Sequence, residues 1–180
     1  EVALADCPQL DVVFVPGGRG INDLLANETV LQFLREQGAK AKYITSVCTG
    51  ALVLAAAGLL QGFKATTHWR SLELLRMFGV ETLEERVVKD RSRITGGGVT
   101  AGIDFGLVLT ALVGGEEMAK VIQLQLEYTP APPFRAGSPH TAGLPVLQKA
   151  KELSQLTLET RKKIIRQLLQ DQAPSSIGHS

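Results

Sequence analysis

Residues 42–60, KYITSVCTGALVLAAAGLL, decide how the rest of the chain is arranged. Tyr43, Ile44 and Thr45 favour a strand, Ser46 and Val47 lead to a single cysteine, and the Ala/Leu-rich run after it can only be helical. Cys48 therefore falls at a strand-to-helix corner. Ser46 and Gly50, two residues to either side, are small enough for the backbone to fold back and present one side chain outward. The helix predicted over 49–57 directs unpaired N–H groups and the positive end of its dipole at the sulfur, which favours the thiolate. Cysteine ordinarily serves as a small apolar filler. The corner is what argues for an activated nucleophile instead.

Upstream, residues 11–15, DVVFV, form a β-branched and aromatic run without alternation, the pattern of a strand buried on both faces of a parallel sheet. PGGRG at 16–20 ends it, and the glycine pair either lets backbone N–H groups approach a ligand closely or makes a plain turn. A helical turn over 21–26 precedes Asn27, the N-cap of a helix that carries Val30, Leu31 and Leu34 on one face and stops at Gly38. Downstream of the corner, Gly58 closes the helix, 63–67 reads as a strand leading to His68 and Trp69, and 70–78 as a helix ended by Gly79. Two β-favouring pieces lie within 80–88, a turn at 90–92, and a strand over 93–95 that runs into three glycines at 96–98.

Thr100 is placed to cap an apolar helix over 101–113, whose composition predicts burial. Gly114 and Gly115 separate it from a helix over 116–127 with Met118, Val121, Ile122 and Leu126 at helical spacing. Residues 129–145 hold five of the eight prolines and read as extended surface chain. A helical pattern resumes over 144–170, with the basic run at 161–166 read as its solvated face. We expect residues 1–170 to form a single domain and 171–180 a flexible tail.

Strands alternating with helices imply an α/β three-layer sandwich, a right-handed, mostly parallel sheet with helices on both faces. Ligands bind beyond the carboxyl ends of the strands in such sheets. The glycine-bearing strand ends at 17–20, 46–50 and 96–98 are thus expected to face one crevice.

Composition narrows the partners. A chain of 180 residues buries roughly 70% of its unfolded surface in one core. Nineteen basic and 18 acidic side chains leave a net charge of +1, with no overall field for nucleic acid or an anionic membrane, and the balance favours a small neutral ligand. Two cysteines, Cys7 and Cys48, exclude a disulfide framework and fit a reducing cytoplasm, with Cys7 structural. The apolar run at 51–60 is well short of the ~20 residues of a membrane span, and residues 1–11 lack the features of a signal peptide.

PGGRG after a buried strand, SVCTGALVLAAAGLL, ATTHW and TGGGVTAGIDFGLVL together resemble the ThiJ/PfpI superfamily, over about residues 11–126. The resemblance implies a flavodoxin-like, class I glutamine amidotransferase-like fold. Within the superfamily, the Cys-Thr pair and YTPAPPFRAGSP at 128–139 are most similar to isonitrile hydratases. That likeness implies a cofactorless enzyme in which Cys48 attacks the terminal carbon of R–N≡C to give a thioimidate, hydrolysed to an N-substituted formamide. The backbone N–H groups of Gly18 and Thr49 match the family's anion-stabilising hole.

Other branches place a histidine after the cysteine. Here Thr49 stands there, which excludes a dyad of neighbours. His68 is the best remaining imidazole, read either as a binding residue or as a histidine hydrogen-bonded at a helix start. Trp69 reads as a pocket wall or a core residue. Arg19 joins the binding candidates, and Gly97, Val99 and Thr100 are expected to form the opposite wall. His140 and His179 sit apart, so no metal site is expected.

The family carries an acidic residue on a first strand that shares a proton with the cysteine. Ten residues before Asp11 are too few for that β–α unit, so the sequence reads as a member lacking its N-terminal quarter. A proton partner of that kind is worth about 10²–10⁴ in rate. The family also implies a homodimer. Three other functions fit the resemblance: the ligand-sensing domain of a transcription regulator, a glyoxalase or deglycase, and a redox sensor working through oxidation of Cys48.

Overall fold

A computed structural model describes residues 1–172 of the chain; residues 173–180, which hold most of the expected tail, lie outside the described residues. The strands β1 (Val12–Val15), β2 (Tyr43–Val47) and β6 (Arg93–Gly96) run parallel in the order β1-β2-β6, and β5 (Val87–Asp90) adds an antiparallel edge beyond β6. The β5–β6 turn passes through Arg91 at φ 54°. A separate parallel pair joins β3 (Lys64–Ala65) to β4 (Glu81–Thr82). The strand expected over 63–67 is thus only two residues long.

One face of the sheet carries α1 (Ile21–Leu25), α2 (Glu28–Gly38), α3 (Gly50–Ala56) and α4 (Leu72–Arg76). Every residue of α3 is buried, as expected of a helix apolar all round. Leu52, Leu54, Leu25, Leu31, Ile44 and Leu74 pack about it into one core. Asn27 caps α2 by accepting from the Val30 N–H at 3.1 Å. Gly38 acts by packing rather than by a left-handed turn: a β-carbon there would stand 2.8 Å from Leu59 Cδ2.

The other face carries α5 (Ala101–Gly114), against which α6 (Glu116–Gln125) folds. Alternation along β1 shows that this is a second layer. Val13 and Val15 point into the α3 core, whereas Phe14 points the other way and stacks on Phe105 of α5 with centroids 5.5 Å apart.

Two expectations fail here for one reason: the α5 layer is thin. β1 is not buried on both faces, since Phe14 is 49% exposed, and α5 buries only Ala101 and Phe105 despite its apolar composition. Nor does the Thr100 side chain cap α5; it accepts hydrogen bonds from Arg86 instead.

The long α7 (Leu144–Gln172) returns across α1 and the short 3-10 turn at Trp69–Ser71, adding Leu158 and Ile165 to the core. Asp171 and Gln172, expected in the tail, belong to this helix.

The join between β1 and α3 has no room for a side chain at residue 50. A β-carbon on Gly50 would lie 2.0 Å from the carbonyl oxygen of Val15, which is backbone and has nowhere to go. Gly50→Ala is therefore expected to destabilise the protein by about 3 kcal/mol or more, lowering the melting temperature by roughly 10 °C in calorimetry. An unchanged melting temperature would contradict this reading of the join.

Candidate active site

The carboxyl ends of β1, β2 and β6 converge on Cys48, as their glycines suggested. The residue is left-handed, φ 57°, an uncommon conformation for a residue with a β-carbon. Its N–H donates to the carbonyls of Gly96 and Gly97 at 2.9 and 2.8 Å, and its own carbonyl accepts from the Thr67 hydroxyl at 2.7 Å. Position 17 must be glycine, because a β-carbon there would come within 2.7 Å of Cys48 Cβ and 2.8 Å of the Thr49 nitrogen. Gly18 N–H, one of the two expected anion-hole donors, is bonded at rest to the Thr49 hydroxyl at 3.2 Å.

Two cavities meet at Cys48. One, of about 300 Å³, lies under α7 and is walled by Arg19, Arg70, Arg161, His68, Thr49 and Leu158 among others. The second, of about 450 Å³, is apolar and opens toward α5 between Phe14, Val47 and Phe105, with Gly102 and Gly106 on its floor. Val99 borders both. Of the expected binding residues, Arg19, His68 and Val99 thus share a cavity with Cys48. Trp69, Gly97 and Thr100 instead line a third cavity of about 320 Å³ that His68 and Val99 separate from the cysteine. Gly97 reaches Cys48 only through its carbonyl.

His68 combines both readings offered for it. Its Nδ1 accepts from the Arg70 N–H at 3.3 Å at the start of the 3-10 turn, and its ring walls the cavity. Burial first, and then the charge of Arg161, lower its pKa below the usual 6.5, so the imidazole is neutral at pH 7.

Arg161 does not lie on a solvated face. It is 7% exposed and shares a face of α7 with Leu158 and Ile165, and its Nε donates to Asn22 Oδ1 at 2.9 Å. Burial lowers its pKa, opposed by the charge of the nearby Cys48 sulfur. The 158, 161, 165 spacing is the sequence signal that placed one arginine on an apolar stripe; a charge run read by composition alone hides it. Arg70 was also missed, and it docks on α7 by donating to Ser154 Oγ at 3.1 Å and Gln155 Oε1 at 2.7 Å.

Among the described residues, no aspartate or glutamate lines either cavity at the cysteine. Among the described residues, no group of three His, Cys, Asp or Glu side chains is placed to hold a metal ion, and no helix is long and apolar enough to cross a membrane.

A left-handed cysteine at a strand-to-helix corner, where the ends of a parallel sheet converge, places the chain in the α/β class with a strand–turn–helix elbow, and sequence comparison gives its family. The DJ-1/PfpI family model matches residues 1–112, and the chain belongs to that family. The chain is 52% identical over 159 residues to the isonitrile hydratase of Pseudomonas putida, covering 88% of this chain and 70% of that enzyme. The crystal structure of a ThiJ/PfpI family protein from Pseudomonas syringae superposes with a TM-score of 0.86 at 45% identity, over 90% of this chain and 68% of that one. The HTH-type transcriptional regulator GbdR of Pseudomonas aeruginosa is 34% identical over 125 residues, 68% of this chain and 34% of the regulator.

The neutral His68 has a consequence for stability. Its folded pKa lies below the unfolded value of 6.5, so the unfolded chain takes up the proton first as pH falls. His68 therefore favours the folded state fully above about pH 6.5, and that contribution is lost on acidification down to its own lowered pKa. His68→Gln is expected to lose less stability than the parent between pH 7.5 and pH 5 in urea titrations. Equal losses would show that the imidazole titrates alike in both states.

Proposed function

We propose that this chain hydrates isonitriles to N-substituted formamides through Cys48. The likeness to the Pseudomonas putida isonitrile hydratase carries the reading, because at 88% of the chain it runs well beyond residue 112, where the family model stops. It takes in the proline-rich loop and at least the first half of α7, the helix over the Cys48 cavity.

The sulfur of Cys48 adds to the terminal carbon of R–N≡C. A carbon–sulfur bond forms and that carbon takes up a proton, giving the thioimidate R–N=CH–S. Water then adds to the C=N bond, nitrogen gains a proton, and collapse of the adduct breaks the carbon–sulfur bond to release R–NH–CHO and the thiol. Overall, one water is consumed per isonitrile. The N–H groups of Thr49 and Gly18 stabilise the negative charge that develops on addition, after the Gly18 donor leaves the Thr49 hydroxyl. Neutral His68 and Arg19 contact the substrate from the wall of the cavity.

The protein acts as a homodimer in the cytoplasm, needs no cofactor, and forms one domain over residues 1–170. Support for the dimer comes from Val121, Leu124 and Leu126, which leave apolar surface exposed on and just beyond α6. Both cysteines are free, which suits a reducing compartment.

A second reading, a ligand-sensing domain, is supported by the likeness to the GbdR regulator. It predicts binding at Cys48 without turnover.

Cys48→Ala is expected to lower formamide production from an aryl isonitrile by more than roughly 10³-fold, and Cys7→Ala to leave it intact. Chromatography of the formamide checks both. Full turnover by Cys48→Ala would remove the mechanism, and binding of the isonitrile by the parent chain with no formamide would favour the sensor.

A further inference from the structure

The cavity under α7 is unusual in its charge. Arg19, Arg70 and Arg161 all border it, together with the hydroxyl residues Ser71, Ser154 and Thr157, and no carboxylate of the described residues does. The chain as a whole is balanced at +1, so this concentration is local and departs from the neutral ligand that composition favoured. Where other arginines of the fold meet acids, they do so directly: Arg35 pairs with Glu28, Arg86 with Asp104 and Arg91 with Asp90. Among the described residues, the three cavity arginines have no carboxylate within salt-bridge distance.

Among those residues Arg70 bonds only the neutral groups of Ser154 and Gln155; Glu73 feels its charge but is held by Lys162 at 2.7 Å. Arg161 is the most telling. It is more than nine-tenths buried, yet its sole hydrogen bond among the described residues is from Nε to the Asn22 amide oxygen, which leaves both terminal nitrogens of its guanidinium without an acceptor among those residues on a cavity wall. A buried cation unmatched by an acid is costly to keep, and a planar fork of donors matches a carboxylate in geometry as well as charge.

We infer that the substrate isonitrile carries a carboxylate, which Arg161 and Arg19 bind in the cavity under α7 while the isonitrile carbon rests against Cys48. The inference rests on the hydratase reading and narrows it to acidic isonitriles. R is then directed under α7 rather than into the apolar cavity at Phe14 and Phe105, which a neutral, hydrocarbon R would prefer. The Cys48 sulfur offsets only part of the cost of burying this cation, and a substrate carboxylate opposite Arg161 supplies the acid that no side chain among the described residues does.

The test compares 4-isocyanobenzoate with its methyl ester, which share a skeleton and differ in charge. The acid is expected to have a kcat/KM about 10- to 100-fold higher, mainly through KM. Arg161→Met is expected to abolish that ratio and Arg161→Lys to keep part of it. Arg19→Gln, an exposed site where folding is not at risk, is expected to reduce it severalfold. An ester turned over as well as the acid, or a ratio that neither Arg161→Met nor Arg19→Gln changes, would overturn the inference while leaving the hydratase reading in place.

A second readout does not need turnover. Benzoate is expected to slow alkylation of Cys48 by iodoacetamide in the parent chain far more than benzamide does, and to lose that advantage in Arg161→Met and in Arg19→Gln. If neither isonitrile reacts but benzoate still protects selectively, the hydratase reading fails and the anion site stands. If benzoate and benzamide protect equally, the anion site fails.

Discussion

Cys48 holds a left-handed backbone that costs a residue with a β-carbon about 1–3 kcal/mol, and hydrogen bonds on both its amide and its carbonyl hold it there. Its amide is fixed by two carbonyls from the end of β6, its carbonyl by the Thr67 hydroxyl, and its flanks by Gly17 and Gly50, each of which lets a neighbouring backbone approach where a side chain would collide. Three strand ends are thereby tied to one residue. The strain is local, while the restraint is spread over β1, β2, β6 and α3, so the sulfur is held out between two cavities by the rigid part of the molecule.

The two sides of the sheet divide the work. The α3 side supplies the core, with a fully buried helix whose residues pack against every neighbouring element. The α5 side is partly open and shapes the apolar cavity. Between them, α7 crosses back from the far end of the chain and places Arg161 over the site, anchored by Leu158 and Ile165 in the core and by Asn22 on α1. The elbow at residues 46–50 and the cation at residue 161, far apart in the sequence, therefore meet at one cavity.

Much of the architecture was legible because it depends on local patterns. Ile44, Thr45 and the Ala/Leu run mark a strand and a buried helix whatever surrounds them, and glycines at 17 and 50 stand where backbones meet. Asn27 announced its cap. What stayed hidden depends on layers that local pattern does not describe. DVVFV reads as a doubly buried strand, yet Phe14 is half-exposed because little packs over it besides Phe105. The same thin layer leaves α5 partly open although its residues are apolar. Arg161 lay within a run of basic residues, and only its register with Leu158 and Ile165 distinguishes it from Lys162 and Lys163. Trp69 and Thr100 were close in sequence to true wall residues, but each turns into the neighbouring cavity.

The account stands or falls on a covalent bond to one sulfur. The most direct measurement is rapid-quench mass spectrometry during a single turnover of an isonitrile, with the modified peptide mapped. The account predicts a transient gain of one substrate mass on the peptide containing Cys48, none on that containing Cys7, and decay of the adduct at the rate at which formamide appears. Formamide released with no adduct on Cys48 at any time, or an adduct that persists while turnover continues, would contradict it.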